Sequence, residues 1–209
     1  MPDLSTLVFQ LLVLLFSVII HEVSHGLMAL WLGDTTAKNA GRLTLNPLKH
    51  LEFFGSFFVP LSLYLLSGGA FVLGWAKPVP YNPYSLKNPK LGAGLIGLAG
   101  PLSNIIIASI FGLALKLPFA NLLGPEGEIL IQLMSFIIFI NVLLAIFNLV
   151  PIPPLDGSNV LFALLPKQFT RLQILLERYG FFILLLVIFF GFRYVFPIVD
   201  AIYRFILSW

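Results

Sequence analysis

The chain has 209 residues, of which 59% are hydrophobic and 10% are charged, and its formal net charge is +3. Soluble domains are about 45–50% apolar and about 25% charged, so this composition excludes an ordinary water-soluble globular protein and predicts an integral membrane protein. So small a charge argues against a nucleic-acid partner, and the absence of cysteine excludes disulfide bonds and thiolate metal sites.

Four long apolar stretches predict membrane-spanning helices, since about 20 apolar residues cross the hydrocarbon core. They cover residues 4–32, 91–117, 129–150 and 179–196. The first stretch is too long for a cleavable signal peptide, and Gly33 is expected to end it. A shorter helix is expected over 159–165, and an interfacial helix after Pro197. The sequence therefore predicts an all-α polytopic membrane protein, a helical bundle of about four to six membrane segments.

Basic residues are concentrated in three connections between these stretches. Residues 34–50, 76–90 and 166–178 each contain three Lys or Arg, whereas 118–128 contains none. Because basic loops favour the cytoplasmic side, we expect the three basic connections to be cytoplasmic. The apolar stretch 51–75 then has cytoplasmic flanks at both ends and is expected to re-enter as a hairpin. A single crossing that departs from the charge rule is the alternative.

The first apolar stretch contains the pattern HExxH, as His21-Glu22-Val23-Ser24-His25. Residues four apart share one face of a helix, so both imidazoles can reach one metal ion, and imidazole is a ligand of Zn²⁺. Glu22 is placed to take a proton from water at that metal. Ionisable groups at the bilayer centre cost about 3 kcal/mol each, so their presence indicates function. The alternative is a polar cluster that holds helices together.

A catalytic zinc site has three protein ligands, so HExxH needs one more. Asp156 ends a segment that follows the apolar stretch 129–150 and contains Pro151, Pro153 and Pro154, which prevent a regular helix. Broken backbone at membrane depth is tolerated where it lines a cavity, and we therefore expect Asp156 to be the third ligand. A surface turn with Asp156 as a helix cap is the alternative. The weaker candidate ligands are Glu52, Asp34 and Asp200.

Two further motifs accompany HExxH, namely Gly100-Pro101-Leu102-Ser103-Asn104 and the segment 148–157, which ends in Leu-Asp-Gly. Together the three motifs resemble those of the site-2 protease family of intramembrane zinc metalloproteases, and segments 41–47 and 74–80 resemble its compact subgroup, which lacks PDZ and CBS domains. The resemblance implies one Zn²⁺ per chain held by the three predicted ligands, with Glu22 as general base. It also implies that Asn104 contacts the substrate or the oxyanion. A structural role between helices is the alternative for Asn104, as it is for Asn141 and Asn148.

The resemblance implies a zinc metalloendopeptidase that hydrolyses peptide bonds in or near membrane-spanning segments of substrate proteins. The expected partners are the lipid bilayer and a single-pass membrane-protein substrate. In a prokaryote, the expected location is the plasma membrane, with the active site towards the cytoplasm. We expect one domain over 1–209, with a catalytic core at about 4–165 and a C-terminal membrane segment and interfacial helix at about 172–209.

Short extended segments are expected near the active site, and an exposed backbone edge at 41–46 or 74–80 would pair with an unwound substrate. His50, which lies in a basic loop, is expected to be interfacial and not a ligand. The competing functions are a metal transporter and an inactive zinc-binding scaffold. Transporters are often built from repeats with two broken helices, whereas we find one broken element and no repeat. The presence of Glu22 argues against the scaffold.

Overall fold

The computed structural model describes residues 4–66, 76–117 and 125–208, and this part of the chain is helical, without β-strands. The α-helices are α1 (Leu4–Trp31), α2 (Thr36–Asn39), α3 (Val59–Leu66), α4 (Pro89–Ala114), α5 (Pro125–Asn148), α6 (Asp156–Leu164), α7 (Thr170–Leu186) and α8 (Phe192–Ser208). Short 3-10 helices cover Pro47–Lys49, Pro83–Ser85 and Lys167–Phe169, and π-helical turns cover Phe53–Phe58 and Val187–Gly191.

Four helical stretches among the described residues are long and apolar enough to cross a membrane. They are Leu4–Trp31, Pro89–Ala114, Glu126–Asn148 and Thr170–Gly191. The predicted all-α polytopic membrane fold is therefore confirmed. Residues 67–75 lie outside the described part of the chain, so the hairpin over 51–75 and the sidedness of the connections stay predictions.

The ends of the helices follow local sequence signals. Gly33 follows α1 with a φ of 102°, a left-handed conformation that glycine adopts without strain. Asn88 caps α4 by accepting a 3.1 Å hydrogen bond from the Leu91 N–H, and Pro89 occupies the first helical position. The helix α6 begins at Asp156, three residues before the predicted start, because an acidic residue is favourable in the first turn of a helix.

The C-terminal region differs from the expected spanning helix followed by an interfacial helix. Helical structure runs from Thr170 to Ser208 through α7, a π-helical turn and α8, and Pro197 lies inside α8. Val199 and Ile206 are seven residues apart and so share one face of α8. Both are buried in a cluster with Ala108 of α4 and with Ile138 and Val142 of α5. This end of the chain therefore packs against two spanning helices.

The helix α4 lies at the centre of the bundle, where it contacts α1, α5 and α6. Its glycines permit the close approach that membrane helices use for packing. A Cβ atom on Gly97 would lie 2.9 Å from the backbone oxygen of Asp156, and one on Gly94 would lie 2.4 Å from the Cβ of Ala163. This packing brings the start of α6, and with it Asp156, against α1 and α4.

Candidate metal centre

The structure brings together the three residues predicted to bind metal. His21 and His25 lie one turn apart on α1, largely buried, with ring centroids 4.6 Å apart. Asp156 arrives from the first turn of α6. Its Oδ2 atom lies 2.9 Å from His21 Nε2 and 3.2 Å from His25 Nε2. One ligand atom from each residue therefore faces a common point.

The chemistry and spacing of these groups fit a zinc ion. Two imidazoles and one carboxylate form a donor set typical of catalytic zinc, with a fourth position open. The three ligand atoms lie within 4.8 Å of one another. Tetrahedral ligands at about 2.0–2.2 Å from zinc are roughly 3.3 Å apart, close to the distances from Asp156 to both imidazoles. A Cβ atom on Gly100 would lie 2.5 Å from His25 Nε2, so only glycine leaves this side of the site open.

The second nitrogen of each imidazole is held by α4. His25 Nδ1 lies 2.6 Å from the carbonyl oxygen of Ile96, and His21 Nδ1 lies 2.7 Å from Asn104 Oδ1. Both partners are acceptors, so each Nδ1 carries the proton and donates. Each Nε2 faces Asp156 Oδ2 and would offer its lone pair to a metal ion bound between them. Outer hydrogen bonds of this kind orient the imidazoles that bind metal.

Asn104 lies behind His21 and is 0% exposed. Its amide Nδ2 donates to Asn141 Oδ1 at 2.8 Å and to the Ser17 carbonyl at 3.3 Å. With its oxygen on His21, the Asn104 side chain has no donor directed at a substrate in this arrangement, and the geometry supports orientation of a ligand instead of the expected substrate or oxyanion contact. From sequence alone the role of Asn141 stayed open, and Ser17 was not identified. The available signal was a polar residue enclosed by apolar neighbours in each of two helices.

Glu22 lines the same space as the three metal-binding candidates but does not bond to them. Its Oε2 atom accepts a 2.8 Å hydrogen bond from the backbone N–H of Val79. A side chain on the face of α1 that adjoins the ligands, with one carboxylate oxygen fixed, is suitably placed to exchange protons with a water at the metal. The geometry agrees with the position that HExxH predicts for the base.

A cavity of about 650 Å³ opens beside the site. Glu22, His21, His25 and Asp156 form its polar part, and the rest of its wall is largely apolar, with contributions from α5 and α7. Phe147, Phe181 and Leu184 are among these apolar residues. A cavity of this composition can receive an apolar polypeptide segment and bring its backbone to a polar centre.

The non-helical segment 76–82 lies along the site, and hydrogen bonds from its backbone to other parts of the chain hold it in place. Lys77 N–H donates to the His50 carbonyl at 2.9 Å, and Arg42 donates to the Lys77 carbonyl at 2.6 Å. The N–H of Val79 is bonded to Glu22, and Pro78 and Pro80 have no N–H. Within the described stretch 77–80, no N–H remains for the expected pairing with a substrate strand. Residues 74 and 75 lie outside the described part of the chain.

The remaining polar candidates have structural partners elsewhere, and the metal-binding group found among the described residues contains none of them. Asp34 accepts hydrogen bonds from the backbone N–H groups of Thr36 and Asn82, and Asp200 pairs with Arg204 at 2.8 Å. Asn148 donates to the Leu144 carbonyl within its own helix. His50 is 0% exposed and its Nε2 donates to the Thr44 carbonyl, so it is buried within the protein, and its expected position at the membrane interface stays a prediction.

Comparison with known proteins gives concordant matches. The chain matches the model of peptidase family M50 over residues 124–187. It is 38% identical over 185 residues to YwhC of Bacillus subtilis, named as a candidate zinc metalloprotease, which covers 87% of this chain and 80% of that protein. It is 30% identical over 164 residues to MJ0611 of Methanocaldococcus jannaschii, named in the same way, covering 77% and 73% of the two chains. No solved structure matches the chain.

Proposed function

The chain belongs to peptidase family M50, the site-2 protease family, and is a membrane-embedded zinc metalloprotease; we propose that it cleaves peptide bonds in or near the membrane-spanning segments of other proteins. The observation that carries the proposal is the position of the three metal-binding candidates. His21 and His25 lie on α1, a helix of spanning length, and their partner Asp156 reaches them beside an apolar cavity. A substrate at this centre is most simply one that also resides in the bilayer.

In the proposed mechanism, His21, His25 and Asp156 would hold one zinc ion, and Glu22 is the general base. When bound, zinc would lower the pKa of water and polarise the peptide carbonyl. Glu22 takes the proton of the attacking water and passes it to the leaving amine. General acid–base transfer of this kind contributes about 10²–10⁴-fold to a rate. The hydrogen bond from Val79 holds the Glu22 carboxylate while it performs both transfers.

The substrate must unwind before it is cut, because the carbonyls of an intact helix are engaged in hydrogen bonds. The apolar walls of the cavity suit the side chains of such a segment, and the backbone of residues 77–80 has no N–H left to donate to a substrate strand. We expect a single-pass membrane protein as substrate. Because basic connections favour the cytoplasmic side, we expect the polar mouth of the site to face the cytoplasm, in a prokaryote at the plasma membrane.

The test is to reconstitute the purified protein in liposomes with single-pass substrates and to map the cut by mass spectrometry. Two substrates that differ only in helix stability make a matched pair, one with Gly and Pro inside the spanning segment and one with leucine there. The proposal expects cleavage inside the first segment, slower cleavage of the leucine substrate, and loss of both after zinc removal. Cleavage confined to water-exposed loops, at equal rates in the two substrates, would overturn it.

A further inference from the structure

A single peptide group connects a buried arginine to the proposed general base. The peptide group between Pro78 and Val79 donates its N–H to Glu22 Oε2 at 2.8 Å, and its carbonyl oxygen accepts from Arg42 Nη2 at 3.4 Å. The same Nη2 atom donates to the preceding carbonyl, that of Lys77, at 2.6 Å. Because a peptide group is planar and rigid, its carbonyl and its N–H move together. The guanidinium of Arg42 is therefore one rigid unit away from the Glu22 carboxylate.

Arg42 is a buried cation without an acidic partner in the described part of the chain. Its side chain belongs to a residue that is 6% exposed, and arginine is almost never buried to this degree unless it is paired. The ion pairs among the described residues do not include Arg42, and its Nε atom has no hydrogen-bond partner there. Removing an unpaired charge from water is costly. Stability alone therefore does not account for an arginine at this position.

The backbone around Arg42 is held against α1 close to the base. Gly41, directly before Arg42, has a φ of 62°, a left-handed conformation that glycine adopts without strain. On the other side of Arg42, Leu43 packs on α1 together with Val79. A Cβ atom on Gly26 would lie 2.6 Å from Leu43 Cδ2 and 2.8 Å from Val79 Cγ1. The two segments that Arg42 joins thus meet at one point of α1, one helical turn beyond Glu22.

We infer that Arg42 is a positioning residue for Glu22 and acts through the peptide group of Pro78 and Val79. Its bonds to two successive carbonyls fix the plane of this peptide group and hence the direction of the N–H. A cation at the carbonyl also polarises the peptide group, which makes its N–H a stronger donor to the carboxylate. The inference rests on the proposed role of Glu22 as the base. It adds a residue that does not line the cavity of the site.

The sequence supplies a probe of this one peptide group, because Pro78–Val79 is the single Pro-Val pair in the chain. Protein that contains ¹³C-carbonyl proline and ¹⁵N-valine gives one HNCO signal by NMR, which reports both ends of the peptide group. The experiment uses metal-free protein in detergent and compares Arg42→Met with Lys49→Met, which removes the same charge from an exposed residue of the same connection. We expect Arg42→Met to shift the carbonyl carbon and the amide proton upfield, because both hydrogen bonds weaken. Lys49→Met should leave the signal in place.

Kinetics with zinc-loaded protein in liposomes test the effect on the base. With a single-pass substrate, Arg42→Met should keep the zinc content and the KM of the wild type and lose about 10–100-fold in kcat, since a small misplacement of a catalytic group has an effect of this size. Arg42→Lys keeps the charge but lacks the fork that reaches two carbonyls, so its kcat and its amide signal should lie between those of Arg42→Met and the wild type. A role in packing alone predicts an unmoved amide signal and no recovery with lysine.

The inference is overturned if the amide signal or the kcat of Arg42→Met equals that of Lys49→Met. If Arg42→Met does not fold, Arg42→Lys is compared with the wild type instead, and an unchanged signal or an unchanged kcat overturns the inference. The NMR signal is read without metal or substrate, so it does not depend on the proposed function. If Arg42→Met and Glu22→Gln both shift the Val79 amide proton but the wild type cleaves no membrane-spanning substrate, the proposed function fails and the connection from Arg42 to Glu22 stands.

Discussion

The carboxylate of Glu22 accepts a 2.8 Å hydrogen bond from the backbone N–H of Val79, 57 residues further along the chain. The two elements also pack closely, since a Cβ atom on Gly26, one turn beyond Glu22, would lie 2.8 Å from Val79 Cγ1. The proposed base is thereby linked to a segment that Arg42 and His50 hold in place. Position and reactivity of the base depend on a contact that HExxH alone does not reveal.

We expect Glu22→Gln and Glu22→Ala both to lose proteolysis but to differ in the order of segment 76–82. Gln keeps an oxygen that can accept from the Val79 N–H, whereas Ala has none. Hydrogen–deuterium exchange of residues 76–82 should therefore be faster in Glu22→Ala than in the wild type and nearly unchanged in Glu22→Gln. Equal exchange in the two variants would show that the bond does not hold the segment.

Substitution of Gly100 by alanine should weaken zinc binding, because the new Cβ would lie 2.5 Å from His25 Nε2 and 2.6 Å from His21 Nε2. Gly112→Ala is a matched control on the same helix, where the Cβ would instead lie 2.3 Å from Ile206 Cγ2. Both variants should lose about 1–3 kcal/mol of stability through overpacking. In chelator competition, only Gly100→Ala should lose zinc affinity, by about tenfold or more. Equal zinc affinities of Gly100→Ala and Gly112→Ala would show that Gly100 does not affect the metal site.

Asp156→Ala should remove the stability that zinc gives to the protein. A ligand present at 100 times its dissociation constant stabilises the folded state by about 2.7 kcal/mol. The wild type should therefore lose thermal stability when zinc is chelated, whereas Asp156→Ala should respond little because its site lacks the ligand that joins α6 to α1. Asp156→Asn, which keeps one amide oxygen, should lie between them. If zinc chelation leaves the melting temperature of the wild type unchanged, the three-ligand assignment is contradicted.

The loop after α1 should be sensitive to acid through Asp34. Burial raises the pKa of this carboxyl, but hydrogen bonds from Thr36 and Asn82 outweigh burial and hold the pKa below its ordinary value of 3.8. A lowered folded-state pKa gives stability that is fully present above 3.8 and is lost as the pH falls through the folded-state value. Asp34→Asn should therefore cost about 1–3 kcal/mol at neutral pH, and the difference from the wild type should shrink below pH 3.8.

Thermal unfolding in detergent at several pH values measures this difference. Asp200→Asn is the control, because Asp200 forms an exposed pair with Arg204 one turn along α8. Exposed pairs of this spacing contribute about 0.3–0.5 kcal/mol, so the control should differ little from the wild type. A constant deficit of Asp34→Asn across the acidic range would show that ionisation of Asp34 does not contribute.

The convergence of His21, His25 and Asp156 could be predicted from the sequence because its signals are local and chemically rare. His21 and His25 have helical spacing, and Asp156 is an acidic residue beside prolines that break a helix. The apolar stretches likewise indicated the spanning helices. These features depend on composition and spacing within one segment, which the sequence shows directly.

Contacts between separate segments could not be predicted from composition and spacing within one segment. The hydrogen bonds from His21 to Asn104 and from Val79 to Glu22 depend on how separate elements pack, and a lone polar residue in an apolar helix has several possible partners. The packing of α8 was missed for a related reason, since Pro197 was read as the end of a helix. The buried face formed by Val199 and Ile206 outweighs that local signal.

The most direct test of the account measures zinc content and proteolysis on one preparation of Glu22→Gln beside the wild type. Glu22 is assigned as the base and not as a ligand, so both proteins should contain about one zinc per chain, as expected for a site with three protein ligands. The wild type should cleave a membrane-spanning substrate in liposomes, and the variant should not. Cleavage by zinc-loaded Glu22→Gln at the wild-type rate would contradict the central claim.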